Sequence, residues 1–417
     1  MSKYKLETEL IKEIKLNIRN NNEKALSEFL EDLKEKGNPI IEPINDEPDK
    51  SLVTIFYVAD EPINNVLIMS SILSELTDEN FEEHLLEQIG HTNLWYGTYK
   101  VRNDVKFTYF LFPNDSLIVE CKERHKKMRE DKFNKNKVTF NRPGFPQMKL
   151  QYVIMPKADE NFWLEERNNI PKGSITKHEF KSSYFAESRV VNVYKPAGYT
   201  EESSPYGFIT LTDGHDYINV LKAEQALNNL IADKKIPPIV AIFIDTLHKR
   251  REDLYCNDLF CSSVANELIP WLREKYNLSK DPQKAIIGGL SLGGLTATYM
   301  GLKHSDVFGN VLCKSGSFWH RPINSDEENQ VELENKGDEL DCWMSEQIKL
   351  SPKLPLRFYM NIGVLENKQR MINNSLNVKK TLESLDYHVD FEFFKSGHDY
   401  LSWGQTLATG LISLIGY

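Results

Sequence analysis

An α/β domain with a mostly parallel sheet, preceded by a smaller β-sandwich, is the fold this 417-residue sequence predicts. Three observations carry it. From about residue 190, apolar runs of strand length alternate with helical patterns. A glycine-bracketed serine sits where one such run passes into a helix. Between residues 51 and 121 the rhythm differs, with short β-rich runs separated by Asp, Asn, Pro and Gly. At about 100–200 residues per domain the length allows two or three domains. The change of rhythm makes it two, 1–150 and 151–417.

The elements follow in order. Leu26, Phe29, Leu30 and Leu33 recur at helical spacing before Gly37, which reads as a C-cap, so a surface helix ends there. Residues 53–58, 65–69, 94–101 and 105–112 are the strands of the first domain. Residues 122–137 carry eight Lys/Arg against three acids, and a solvated inter-domain loop is favoured over a nucleic-acid patch. In the second domain the strand candidates are 189–194, 207–212, 239–244, 284–288, 311–313, 356–362 and 389–394. Helical patterns at 217–233, 257–276, 292–304 and 370–386 lie between them.

Composition excludes classes without naming a function. Hydrophobic residues make up 40%, charged 27% and aromatic 11%, which is not a disordered chain. A net charge of −10 argues against coating nucleic acid or an anionic membrane. The longest apolar run, Pro237–Ile244, is strand length and far short of the ~20 residues that span a bilayer. The first 22 residues are charged and lack an apolar signal core, and five cysteines follow no metal-ligand spacing. A reduced, cytoplasmic setting is expected, with no resident metal or cofactor and no obligate protein partner.

The sharpest chemical signal is Ala285-Ile-Ile-Gly-Gly-Leu-Ser-Leu-Gly-Gly-Leu-Thr-Ala-Thr298. Gly289, Ser291 and Gly293 form Gly-x-Ser-x-Gly between a buried strand and a helix, the context a nucleophile elbow requires. Ser291 would stand on a sharp turn at a helix N-terminus, where the Leu292 N–H can donate to a developing oxyanion. A serine nucleophile needs a base. In α/β-hydrolase sheets the acid follows the penultimate strand and the histidine the last one. His398 lies just past 389–394, and Glu366 just past 356–362. Asp390 is the alternative acid, but its mid-strand position aims it elsewhere, and Asp399 adjoins the base itself. A second oxyanion donor is expected after strand 207–212, from the N–H of Gly214 or His215.

The surrounding residues extend the pattern. They include Met300-Gly-Leu-Lys-His-Ser-Asp-Val-Phe-Gly309, Ser315-Gly-Ser-Phe-Trp-His320, Asp213-Gly214, Ile244-Asp-Thr-Leu-His-Lys-Arg-Arg-Glu-Asp-Leu254, Gly363-Val-Leu-Glu366 and Gly397-His398-Asp399 with Trp403. Together they resemble the enterochelin (enterobactin) esterase family, α/β-hydrolases with an N-terminal Ig-like, early-set sandwich. Lys36-Gly-Asn-Pro39 and Leu94-Trp-Tyr96 resemble that N-terminal domain. The resemblance implies cytoplasmic hydrolysis of a catecholate trilactone siderophore, with iron present only as part of the ferric substrate. It implies Ser291 as nucleophile, Glu366 as acid, His398 as base and Asp213-Gly214 as the oxyanion loop. Arg250 matches an arginine near the site, with Arg251 as the alternative, and suits an anionic ligand. Trp319 and Trp403 are candidates to face catechol rings, with core packing as the alternative. His320 stands where an aromatic is expected. The rival functions are a general carboxylesterase acting on feruloyl or acetyl esters, and a non-catalytic ligand-binding pseudo-hydrolase.

Overall fold

The structure, a computed structural model, describes residues 6–119, 121, 123–184, 187–321 and 342–417. Its contacts divide the chain into two units. The first runs to Asp159 and takes in Lys395–Gly397; the second holds Glu160–Phe394 and His398–Tyr417. The expected boundary at residue 150 falls inside a strand of the first unit, where Leu150 is in register with Val138.

In the first unit two four-stranded antiparallel sheets form. One has the order β1 (Ile40–Pro43), β2 (Lys50–Val58), β5 (Leu94–Arg102), β4 (Glu87–Gln88). The other has the order β3 (Val66–Ser70), β6 (Lys106–Pro113), β8 (Met148–Ile154), β7 (Lys137–Phe140). Two helices lead in, where one was expected. Glu9–Arg19 is capped by the Thr8 side chain and Glu23–Lys36 ends at Gly37, whose φ of 93° needs glycine. Ile11, Ile14 and Leu33 bury their apolar stripe with Phe56 and Tyr96.

Four of the described basic residues in the run at 122–137 are paired with acids. Arg124 is bidentate to buried Asp115 at 2.8 and 3.1 Å, and Lys126, Lys132 and Lys137 pair with Glu123, Asp60 and Glu130. Asp131, from the same run, is a buried hub that accepts from Tyr109 Oη, Asn38 Nδ2 and two backbone N–H groups.

The second unit is built on one eight-stranded sheet, ordered β16-β15-β14-β13-β11-β12-β10-β9. Strands β11 (Gly207–Leu211), β12 (Ile239–Ile244), β13 (Ala285–Leu290), β14 (Asn310–Lys314), β15 (Arg357–Gly363) and β16 (His388–Phe394) are mutually parallel. Antiparallel β10 (Arg189–Lys195) and β9 (Ser174–Phe180) complete one edge. Successive residues feed opposite faces. Ile287, Val311 and Phe358 join one apolar cluster, while Ile286, Leu312 and Tyr359 join the other. Helices cover both faces, which is why β12 and β13 are buried along their whole length. The α/β-hydrolase expectation holds, and the parallel strands deliver their carboxyl ends to one edge.

Candidate active site

Ser291 follows β13 directly and precedes the helix Leu292–Lys303. Its backbone is held at φ 56°, ψ −120°, a conformation sparsely populated by non-glycine residues. The Ser291 N–H donates to Lys314 O at 2.9 Å, and its carbonyl accepts from Ser317 N at 3.1 Å. Neighbouring glycines permit the turn: a Cβ on Gly289 would lie 2.3 Å from the Gly293 carbonyl carbon. So tight a reversal lifts the hydroxyl clear of the sheet.

Two other strand ends meet it there. His398 Nε2 lies 3.0 Å from Ser291 Oγ, and His398 Nδ1 lies 2.8 Å from Glu366 Oε2. An Nδ1–H directed at the carboxylate leaves Nε2 as an acceptor facing the serine. The Glu366 side chain is fully buried while that of His398 is 37% exposed, so the acid is shielded and the base can meet a substrate. Glu366 Oε1 accepts from Ser315 Oγ at 2.6 Å and from Gly363 N at 2.9 Å. The alternatives for the acid are otherwise engaged. Asp390 binds Ser413 and Arg357, and Asp399 caps the helix Tyr400–Ile415 through Leu401 N.

The turn after β11 gives the second feature. Asp213 adopts φ 56° and Gly214 opens the helix Gly214–Asn219, where a Cβ would lie 2.7 Å from the Phe243 carbonyl carbon. Gly214 and Leu292 are thus each the first residue of a helix, where N–H groups lack intrahelical acceptors. The buried Asp213 carboxylate accepts from Thr246 Oγ1 (2.8 Å), Arg250 Nε (2.8 Å) and Arg250 Nη2 (2.9 Å). Arg250 is therefore the inward arginine, and its first contact is with this turn; Arg251 is exposed.

The two tryptophans part company. Trp319 is half-buried, and the Arg370 guanidinium sits 3.9 Å from its ring centroid. Trp403 is only 2% exposed, so the expectation that it faces a ligand ring is corrected: it is a core residue. Its ring stands edge-to-face against His398 at 4.9 Å, and its Nε1–H donates to Ser315 Oγ at 3.0 Å. His320 packs as a ring. It is buried and stacks on Tyr255 at 4.0 Å, and burial pushes its imidazole down to about 4, leaving a neutral ring.

Sequence reasoning assigned no role to Ser315, Ser317 or Lys314. Ser317 Oγ lies 3.2 Å from Ser291 Oγ. Lys314 is wholly buried, donates to Trp403 O at 2.8 Å and lies 4.5 Å from the centroid of the Tyr217 ring. The only signal available was the Ser315-Gly-Ser317 triplet, whose place at the end of β14 gives its meaning.

Among the described residues no cluster of His, Cys, Asp or Glu fits a metal ion, and no helix is long and apolar enough to cross a membrane. Comparison with known proteins places the chain among esterases. The model of a family described as putative esterases matches residues 182–414. The iron(III) salmochelin esterase of Escherichia coli O6:H1 is 24% identical over 407 residues, 94% of each chain. An iron(III) enterobactin esterase of the same strain is 28% identical over 239 residues, 56% of each chain. The ferric enterobactin esterase of Salmonella typhimurium shares the fold with a TM-score of 0.72, at 21% identity, over 91% of this chain and 96% of that one. With a family match over more than half of its length, and enterobactin and salmochelin esterases among its relatives, this chain belongs to that esterase family.

Proposed function

We propose that this esterase opens the ester backbone of a catecholate trilactone siderophore, with Ser291, His398 and Glu366 as its catalytic triad. The observation that carries the reading is the unbroken chain from Ser291 Oγ through His398 to the buried Glu366, at 3.0 and 2.8 Å. Such a constellation cleaves esters by acyl transfer. His398 Nε2 takes the Ser291 proton as Oγ attacks the carbonyl. The Leu292 and Gly214 N–H groups receive the oxyanion. The leaving alcohol takes the proton from His398, and water activated by the same base releases the acyl group. Glu366 holds the tautomer and stabilises the imidazolium.

The siderophore substrate is supported by the relatives named for iron(III) enterobactin and salmochelin hydrolysis, one of which aligns along 94% of its length. Iron enters only with the substrate, because serine, histidine and backbone donors supply every group the hydrolysis uses. The cytoplasm is the proposed location and a small molecule the proposed partner. Arg370 on Trp319 offers a cation on an aromatic plane, which suits an anionic catecholate.

The test is chromatography of enterobactin, ferric and iron-free, after incubation with purified protein. Linear trimer, dimer and monomer should accumulate with wild type and not with Ser291→Ala. An intact trilactone beside brisk turnover of methyl ferulate would replace the substrate assignment. Equal activity of Ser291→Ala would remove the nucleophile.

A further inference from the structure

Ser315 presents a contradiction that the triad alone leaves unresolved. It is fully buried and sits at φ 46°, in the left-handed region that favours glycine. Nothing in the backbone asks for a side chain there: its N–H donates to Asn361 O at 2.9 Å, a bond glycine would keep. Strain of this kind persists where a side chain is needed in one place.

The hydroxyl explains it. The Trp403 indole N–H can only donate, so at 3.0 Å it fixes Ser315 Oγ as acceptor. The one hydroxyl proton is thereby directed to Glu366 Oε1, 2.6 Å away. Gly363 N–H donates to the same oxygen, so Oε1 is held from two directions and Oε2 is left for His398 Nδ1. Trp403 closes the arrangement by packing its ring edge-to-face against His398, and its carbonyl is tethered by Lys314 Nζ at 2.8 Å. One tryptophan thus contacts the base directly and the acid through a single hydroxyl.

We propose that Ser315, oriented by Trp403, is a positioning residue that locks Glu366 in the rotamer facing His398. This rests on the reading of Ser291, His398 and Glu366 as the triad. It goes further by giving Ser315 and Trp403, both buried, work behind the triad.

The experiment uses the full chain with p-nitrophenyl butyrate as the probe, and the low-field proton resonance of the His398–Glu366 hydrogen bond as a readout independent of turnover. Ser315→Gly removes the hydroxyl while relaxing the backbone, so the variant is expected to fold. Trp403→Phe keeps an aromatic ring beside His398 and removes the N–H donor, with some loss of buried volume. Ser315→Gly should lower kcat about 10- to 100-fold, the scale of a small misplacement of catalytic groups, with KM within about twofold. The low-field resonance should broaden or vanish. Trp403→Phe should show a smaller loss of kcat. The double variant should be no worse than Ser315→Gly, because both act through one hydroxyl. A Ser315→Gly enzyme with wild-type kcat and an intact resonance overturns the proposal, as do additive losses in the double variant. Ser291→Ala separates the two readings: it should be inactive yet keep the resonance, and activity in that variant would overturn the triad itself.

Discussion

Lys314 makes the sharpest claim about stability. Its amine is wholly buried, bonds to the carbonyl of Trp403, and has no carboxylate partner among the described residues. Burial holds it well below the usual lysine range, near 10.5, so the folded state binds this proton less tightly than the unfolded chain does. The sign follows. Below 10.5 the unfolded state carries the extra proton, so stability rises with pH toward 10.5 and falls as pH drops toward the folded value. Each pH unit within that window is worth about 1.4 kcal/mol. Lys314→Met retains the stem volume and removes the titration. It also leaves the Trp403 carbonyl without this donor, a pH-independent cost of about 1–3 kcal/mol. The difference between the two proteins is therefore read from its slope. Urea unfolding at pH 8.0 and 9.5, followed by tryptophan fluorescence, should show wild type gaining stability on Lys314→Met over that interval, up to the about 2 kcal/mol that one proton can contribute. Parallel pH dependence would mean that the amine is charged in the fold, and would refute the argument.

Three further outcomes follow from the site. Glu366→Gln should fold normally yet lose about 10⁴-fold in kcat, since an amide cannot hold the required tautomer; steady-state kinetics on a soluble ester checks it. Gly289→Ala drives a Cβ to 2.3 Å from backbone at Gly293, so a stability loss of about 3 kcal/mol and a fall in kcat of about 100-fold are expected together. Arg250→Gln strips two charged donors from buried Asp213. Breaking a buried pair costs about 3–5 kcal/mol. With Arg250 one-third exposed, a loss nearer 2 kcal/mol is expected, together with a lower kcat if the loosened Asp213-Gly214 turn supplies the proposed oxyanion donor. A change in KM alone, at unchanged stability, would make Arg250 a substrate contact only.

How much of this could be read in advance varied with physical cause. The parallel strands were legible because burial on both faces makes them continuous apolar runs, as in Ile239–Ile244. The edge strand Ser174–Phe180 was not, since its residues are largely exposed and polar. The helix Tyr400–Ile415 was hidden by Gly404 and Gly410, which weaken helical propensity yet are needed for close approach: a Cβ on Gly410 would lie 2.9 Å from Leu312. In the site, Ser291, His398 and Glu366 were marked by their place at strand ends. Trp403 was misjudged because a tryptophan beside a catalytic histidine looks alike in sequence whether it faces ligand or core. Ser315 went unassigned because the acceptor of its N–H and the donor to its hydroxyl lie 46 and 88 positions away. Sequence proximity carries no trace of such contacts.

The spacing of the three strand ends has a consequence for biosynthesis. His398 follows Ser291 by 107 residues, and Glu366 lies between them. At about 5–20 residues per second, a ribosome needs roughly 5 to 20 seconds to travel from nucleophile to base. Throughout that interval the emerging chain carries an elbow serine with no base to deprotonate it. β15 and β16 must then add to the sheet before hydrolysis can begin, so the appearance of activity times the docking of the last strands.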